Sequence, residues 1–211
     1  MLFGPDSPFS AQVARGNSKL VIVTGENASG KSLFVRVSAA ALQRDDGALA
    51  VTVSIRERAG GGPHELGNLR RAMMFGDETE QSTGATSVGV VQTAFDNLDR
   101  EQGSVLITDE PELGLSEAYA RALGKLIGRR SRDLSKACRG VFVVTHSRPL
   151  VRGLLDGYEA PTHVSVGADD DQRRAGLQRW LNDDEHRTVE QLLGLRDAGL
   201  DRWRRVNQLL D

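Results

Sequence analysis

Short apolar runs that end in polar residues or glycine recur along this chain. Residues 20–24 (LVIVT), 105–110 (VLITDE) and 141–146 (VFVVTH) are apolar almost throughout and become polar only near their ends. Runs of this kind are typical of strands buried on both faces of a parallel sheet. Residues 49–55 and 162–166 are two further strand candidates. The pattern predicts an α/β fold with a mostly parallel sheet flanked by helices.

Apolar residues at helical spacing lie between these runs. Helices are predicted over about residues 31–44 and 116–130, and a third from Ser87 places Val88, Val91, Phe95 and Leu98 on one face. The stretch from 56 to 84, rich in glycine, proline and charge, is expected to be mostly loop. We expect one domain over residues 1–170.

Residues 171–211 are expected to form a helical appendage packed on or beside that domain. Helical patterns occur around Trp180, Leu192 and Leu193, and the last one aligns Leu200, Trp203, Val206 and Leu210. Arginines are frequent here: Arg173, Arg174, Arg179, Arg187, Arg202, Arg204 and Arg205. A nucleic-acid or partner surface is one interpretation, but interleaved acidic residues favour a packed helix with a solvated charged face.

Composition limits the classes of protein to which this chain can belong. The 211 residues are 39% hydrophobic, enough for a core, and a net charge of -2 argues against a strongly basic nucleic-acid-binding body. Cys138 has no partner for a disulfide, and neither a signal-peptide pattern nor an apolar run of membrane-spanning length is seen. We expect a cytoplasmic protein without direct membrane insertion.

The first chemical motif lies where the first strand meets the first helix. Gly25, Glu26, Asn27, Ala28, Ser29, Gly30, Lys31 and Ser32, followed by Leu33, match the spacing of a phosphate-binding loop. Glycines allow backbone amides to curl around a phosphate, Lys31 supplies a positive charge, and Ser32 offers its hydroxyl to Mg²⁺.

Two carboxylates end the strand at 105–110. Asp109 lies at a strand's carboxyl end, where open α/β sheets bind ligands, and is a candidate Mg²⁺ ligand. Glu110 is a candidate catalytic base that orients and deprotonates a water. A cap for the next helix is the alternative, although that helix begins about six residues later.

His146 ends a third buried run and is the third catalytic candidate beside Lys31 and Glu110. Its imidazole would lie at the edge of the γ-phosphate. A lone histidine at a strand end is otherwise commonly a surface or structural residue.

The segments GENASGKS, VLITDEPELGLSE and VFVVTHS, in this order, resemble the Walker A motif, the Walker B motif with catalytic glutamate and D-loop, and the histidine switch of the ABC ATPase superfamily. The resemblance covers roughly residues 20–148. It implies a P-loop NTPase fold of the ABC type, with ATP and Mg²⁺ as ligands. The compact chain looks most similar to soluble stand-alone ATPases of the RecF and overcoming-lysogenization-defect type.

The same resemblance places Ser82, Thr83 and Gly84 where the family's Leu-Ser-Gly-Gly-Gln signature begins, so Ser82 and Gly84 would bind the nucleotide of an opposite subunit. A serine hydroxyl, a glycine amide and a helix N-terminus suit a γ-phosphate. A flexible Ser-Thr-Gly loop is the alternative, because the full signature is absent.

Three family features are missing or altered. The Q-loop glutamine has no clear counterpart, and Arg56 or Glu57 occupies that place. Ser116 replaces the D-loop aspartate. Phe3 and Phe9 are candidates for stacking on adenine, or are core residues of the N-terminus.

The resemblance implies an ATPase that dimerises head to tail around two nucleotides and drives a partner protein or a nucleic-acid process of the repair or defence type. The alternatives are a nucleotide-binding subunit of a membrane transporter, an ATP-sensing interaction module with little turnover, or a small kinase. The missing glutamine disfavours the transporter, and Glu110 with His146 disfavours the sensor. A kinase would need an acceptor-binding domain, for which no segment is evident.

Overall fold

The computed structural model describes residues 11–54, 83–98, 103–136, 138–167, 176–183 and 186–210. Its strands are β1 (Ala11–Ala14), β2 (Asn17–Thr24), β3 (Leu49–Ser54), β4 (Ser104–Asp109), β5 (Gly140–Val144) and β6 (Pro161–Val166). They form one six-stranded sheet in the order β1-β6-β2-β5-β4-β3, with every neighbouring pair parallel except β1 with β6. The predicted α/β fold with a mostly parallel sheet is confirmed.

The described helices are α1 (Lys31–Asp46), α2 (Thr83–Leu98), α3 (Glu117–Arg132), α4 (Arg148–Gly157), α5 (Gly176–Asn182), α6 (Val189–Leu193) and α7 (Leu195–Leu210). None of them, over the residues described, is long and apolar enough to cross a membrane.

Both faces of the sheet are covered, which explains why the strand sequences are apolar without alternation. On β2, Leu20 and Ile22 belong to one core cluster, and Val21 and Val23 belong to another on the opposite face. The first cluster packs against α2, α3 and α4, and the second against α1. At about 25 cal/mol per Å² of buried apolar surface, such two-sided burial is the main stabilising contribution to the fold.

Two strand ends and one helix start differ from the sequence prediction. β4 ends at Asp109 because Glu110 has a φ of 50°, a left-handed conformation that a strand cannot continue. β5 ends at Val144, so Thr145 and His146 lie in the turn that follows. Helix α2 begins four residues before Ser87, at Thr83.

The elements β1 and α4 were not predicted. Helix α4 contains Gly153, a residue of low helix propensity, but a Cβ there would lie 2.0 Å from the Arg121 carbonyl oxygen of α3. The reciprocal position on α3, Gly124, would place a Cβ 2.1 Å from the Leu150 carbonyl oxygen. Glycine is therefore required at both positions because the two helix backbones touch.

The C-terminal segment meets the core only in part among its described residues. Trp180 and Leu177 of α5 pack against the larger core cluster, and Arg152 of α4 donates a 2.6 Å hydrogen bond to the Leu181 carbonyl. Leu192 and Leu193 are 62% and 73% exposed, and no described side chain of α6 or α7 is buried. The predicted domain boundary at 170 lies outside the described residues.

Candidate functional site

The strands β2, β4 and β5 end side by side at one edge of the sheet. The β-sheet register pairs Val144 with both Val23 and Asp109. Two backbone hydrogen bonds extend this alignment beyond the strands: Glu110 N donates to Val144 O at 2.9 Å, and Thr145 N donates to Val23 O at 3.0 Å. The loops after all three strands therefore meet where open α/β sheets bind ligands.

The loop of residues 25–32 connects β2 to α1. A Cβ on Gly25 would lie 2.4 Å from the Val166 carbonyl oxygen and 2.6 Å from Ser29 Oγ, so only glycine fits. Gly30 has a φ of 97°, and its carbonyl accepts the first helical hydrogen bond, from Phe34 N at 2.9 Å. These two glycines allow a tight turn directly into the N-terminus of α1.

Lys31 and Ser29 are buried within this loop. The Lys31 ammonium donates to the carbonyls of Gly25 and Glu26 at 2.8 and 2.9 Å, and the residue is only 7% exposed. Ser29 Oγ is buried and has no hydrogen-bond partner among the described residues. A buried cation and an unsatisfied hydroxyl make this loop suited to an anionic ligand.

The other predicted loop residues differ in exposure. Glu26, Asn27 and Ala28 are exposed at its outer side, and Ala28 has a left-handed φ of 59°. Leu33 is half-buried in the first turn of α1.

Ser32 and Asp109, the predicted metal ligands, face each other across the sheet edge. Ser32 Oγ lies 3.5 Å from Asp109 Oδ2. One oxygen comes from the first turn of α1 and the other from the end of β4. A hydroxyl and a carboxylate are oxygen ligands of the kind that Mg²⁺ prefers.

Glu110 and His146, the predicted catalytic pair, are in contact. His146 Nδ1 lies 3.1 Å from Glu110 Oε1; the glutamate side chain is 5% exposed and the imidazole 49%. This hydrogen bond raises the pKa of His146, partly offset by burial of the ring. A non-glycine residue in left-handed backbone, as Glu110 is, costs roughly 1–2 kcal/mol and is a feature of functional positions.

Glu112 was not singled out by the sequence analysis, yet it lies in the same site. Its Oε1 is 2.5 Å from Thr145 Oγ1, and the residue is only 8% exposed. Burial raises the pKa of Glu112, an effect that the Thr145 hydrogen bond partly counteracts. The sequence offered no periodic signal for it, because Glu112 lies in the turn that follows the left-handed residue Glu110.

A cavity of about 540 Å³ opens beside Glu110, Glu112 and His146, and its lining does not include Lys31, Ser32 or Asp109. Its walls include Gly25, Glu110, Glu112 and His146 from the sheet edge. The C-terminal segment completes the wall with Trp180 and Arg187.

Three polar contacts hold the C-terminal segment at this wall. An Arg187 guanidinium nitrogen lies 3.5 Å from Glu26 Oε1, which links the segment to the 25–32 loop. The Arg148 guanidinium lies 5.8 Å from the centre of the Trp180 ring and 3.9 Å from the Asp183 carboxylate. Sequence patterns could not reveal this contribution, because it depends on where the segment docks.

The predicted signature residues are only partly placed. Ser82 lies outside the described residues, as do Phe3, Phe9, Arg56 and Glu57. Gly84 is buried in the first turn of α2, where a Cβ would lie 2.9 Å from the Gly114 carbonyl oxygen and 2.7 Å from Leu115.

Gly84 therefore packs against residues 114–115 of its own chain and is not part of the cavity wall that the described residues form. Ser87 Oγ adds a 3.2 Å hydrogen bond to the Leu113 carbonyl. These contacts fix the start of α2 relative to the segment after β4.

A scan against protein-family models finds no match to this chain, and a search of curated proteins finds none either.

Proposed function

We propose that this protein is a Mg²⁺-dependent ATPase of the ABC type. The observation that carries the proposal is the meeting of five side chains, drawn from three distant segments, at one edge of the sheet: Lys31, Ser32, Asp109, Glu110 and His146. Their chemistry supplies a phosphate-binding cation, two metal ligands, a base and a group that orients the base.

The residues of the 25–32 loop suit the phosphates of ATP. Lys31 now donates to two loop carbonyls and can exchange them for β- and γ-phosphate oxygens without a large movement of the chain. The unsatisfied Ser29 hydroxyl would gain a partner from the same ligand. The N-terminus of α1, directly behind the loop, adds its positive dipole end.

Ser32 and Asp109 would hold Mg²⁺, which takes few protein ligands and completes its shell with phosphate oxygens and water. The bound ion would supply charge neutralisation at the β- and γ-phosphates.

Glu110 would accept the proton of the attacking water. The half-exposed His146 ring contacts this carboxylate and orients it. The raised pKa of His146 favours the imidazolium form of the ring. In that form both ring nitrogens donate hydrogen bonds, so Nε2 is available to a γ-phosphate oxygen while Nδ1 binds Glu110. The base and the phosphate are thereby positioned by one side chain.

The proposal includes a head-to-tail dimer in which Ser82 and Gly84 of one subunit approach the nucleotide of the other. Only the resemblance to ABC ATPases supports this part of the proposal, because Gly84 packs against residues 114–115 of its own chain. The ATPase cycle would drive a partner protein or a nucleic-acid process in the cytoplasm.

Sedimentation of the wild type and of Glu110→Gln, with and without Mg-ATP, tests the proposal together with phosphate release from the same samples. We expect the variant to bind ATP, stop hydrolysing it and accumulate as a dimer. Binding without hydrolysis by the wild type would instead identify a nucleotide sensor. If neither form binds ATP, the proposed function is wrong.

A further inference from the structure

The segment 110–112 and the turn 145–147 are joined by two side-chain links. Glu110 contacts the His146 ring at 3.1 Å, and Glu112 contacts the Thr145 hydroxyl at 2.5 Å. The two carboxyl groups thus hold adjacent residues of the same turn.

The hydrogen-bond pattern determines which partner donates in the second link. Thr145 Oγ1 accepts a hydrogen bond from Ser147 N at 2.8 Å. A hydroxyl has a single hydrogen, and among the described contacts the acceptor for it is Glu112 Oε1. Thr145 therefore bridges Glu112 to the backbone on the far side of His146.

The rest of the turn is held by further hydrogen bonds. Thr145 N donates to the Val23 carbonyl at 3.0 Å, and the Ser147 hydroxyl accepts from Leu150 N at 3.3 Å, capping α4. The backbone of His146 is thus fixed on one side by β2 and on the other by α4. Glu112 ties this fixed turn to the segment that carries Glu110.

Burial of the Glu112 carboxyl group at this place disfavours folding. The residue is 92% buried, since its exposed fraction is 8%, and its Oε2 has no hydrogen-bond partner among the described residues. Buried polar groups are normally satisfied, so an unsatisfied carboxyl oxygen beside a candidate site requires an explanation other than stability. An apolar side chain would fill the same space without that penalty.

We propose that Glu112 is a positioning residue, which holds His146, through the Thr145 hydroxyl, in the orientation that contacts Glu110. This inference rests on the proposed ATPase function for its kinetic consequence, but its geometry does not require a nucleotide. The role belongs to the hydrogen-bond acceptor and not to a negative charge. Burial, which raises the pKa of Glu112 and so favours its neutral form, agrees with this.

Two pairs of substitutions separate positioning from packing. Glu112→Gln keeps an acceptor oxygen for Thr145, and Glu112→Ala removes it. Thr145→Ser keeps the hydroxyl, and Thr145→Val removes it with little change of volume. We expect the Gln and Ser variants to keep kcat within about threefold, and the Ala and Val variants to lose about 10- to 100-fold, the scale of a slight misplacement of reacting groups.

The KM for ATP should stay within about threefold in all four variants, because His146 would act on the transition state and not on ground-state binding. The Ala and Val substitutions combined should lower kcat no further than either one, because both break the same link. An Ala variant with the kcat of the wild type, or a Gln variant as slow as the Ala variant, would overturn the inference. The Thr145 pair decides the question if Glu112→Ala does not fold.

The imidazole ¹⁵N spectrum of His146, recorded without nucleotide, tests the geometry independently of hydrolysis. Its resonances should shift in Glu112→Ala and return in Glu112→Gln, with His163 and His186 as internal references. If the wild type hydrolyses no ATP but these shifts occur, the proposed function fails and the positioning role holds. If hydrolysis is normal in the wild type and the His146 resonances do not move, the positioning role fails alone.

Discussion

Ser32 Oγ and Asp109 Oδ2 lie 3.5 Å apart, although 77 residues separate them in sequence. The contact exists because the tight loop after β2 leads directly into the first turn of α1, and β4 ends at the same level of the sheet as β5. It is the part of the site that we propose binds Mg²⁺.

Replacement of either ligand should raise the Mg²⁺ concentration that ATP hydrolysis requires. We expect Ser32→Ala and Asp109→Asn to lower phosphate release at least about 100-fold at low Mg²⁺, because a hard cation loses one of its few protein ligands. Phosphate release measured across a Mg²⁺ titration checks this. Ser38→Ala, on the same helix, is the matched control and should behave as the wild type; an unchanged Mg²⁺ response in Asp109→Asn would contradict the assignment.

Glu110 should store backbone strain that glycine relieves. Its φ is 50°, so Glu110→Gly should be more stable than Glu110→Ala by about 1 kcal/mol, while both variants lose hydrolysis. Urea unfolding gives the two free energies. At an exposed helical position alanine should be the more stabilising residue. Ala122→Gly, on α3, should therefore lower the free energy of unfolding by about 1 kcal/mol. Equal stability of the two Glu110 variants would show that this conformation is not strained.

Acid should destabilise the protein through His163. Thr24 Oγ1 lies 2.8 Å from the His163 ring, and burial lowers the pKa of this histidine to about 4. The unfolded chain binds the proton below about pH 6.5, and the folded chain does so only near pH 4, so stability is complete above pH 6.5 and is lost as the pH falls toward 4.

The loss should be on the order of 3 kcal/mol, read from urea unfolding between pH 7 and pH 4. His163→Gln should flatten that dependence, whereas His186→Gln, at an exposed position, should leave it unchanged. A wild type whose stability is constant over this range would rule out a neutral buried His163.

Arg187 should assist ATP binding from the C-terminal segment. It lines the cavity and lies 3.5 Å from Glu26 at the start of the 25–32 loop, so its charge is close to where we place the phosphates. Because the guanidinium is partly exposed, we expect Arg187→Ala to raise the KM for ATP only about threefold, with a smaller difference at high salt. Arg196→Ala on α7 is the control. A KM equal to that of the wild type at low salt would show that the segment does not contribute to binding.

Much of the site was readable from local sequence. The run of residues 20–24, the glycines around it and the start of α1 at Lys31 were all predicted, because a strand, a turn and a helix start depend on neighbouring residues. The same holds for Asp109, Glu110 and His146, each of which was recognised from its position at the end of an apolar run. Their proximity followed from the rule that parallel strands present their carboxyl ends at one edge.

The sequence by itself thus determined the strands β2 to β6, the loop of residues 25–32 and the polar residues at the strand ends. Only the tertiary structure decided that Glu112 meets Thr145 and that Arg187 meets Glu26. These contacts depend on the placement of β5 between β2 and β4, on the left-handed turn at Glu110 and on the docking of α5 against the core. The physical reason is that apolar periodicity indicates which face of a helix or strand is buried. It does not indicate which other element packs against that face, because that choice depends on packing between segments that are distant in the chain.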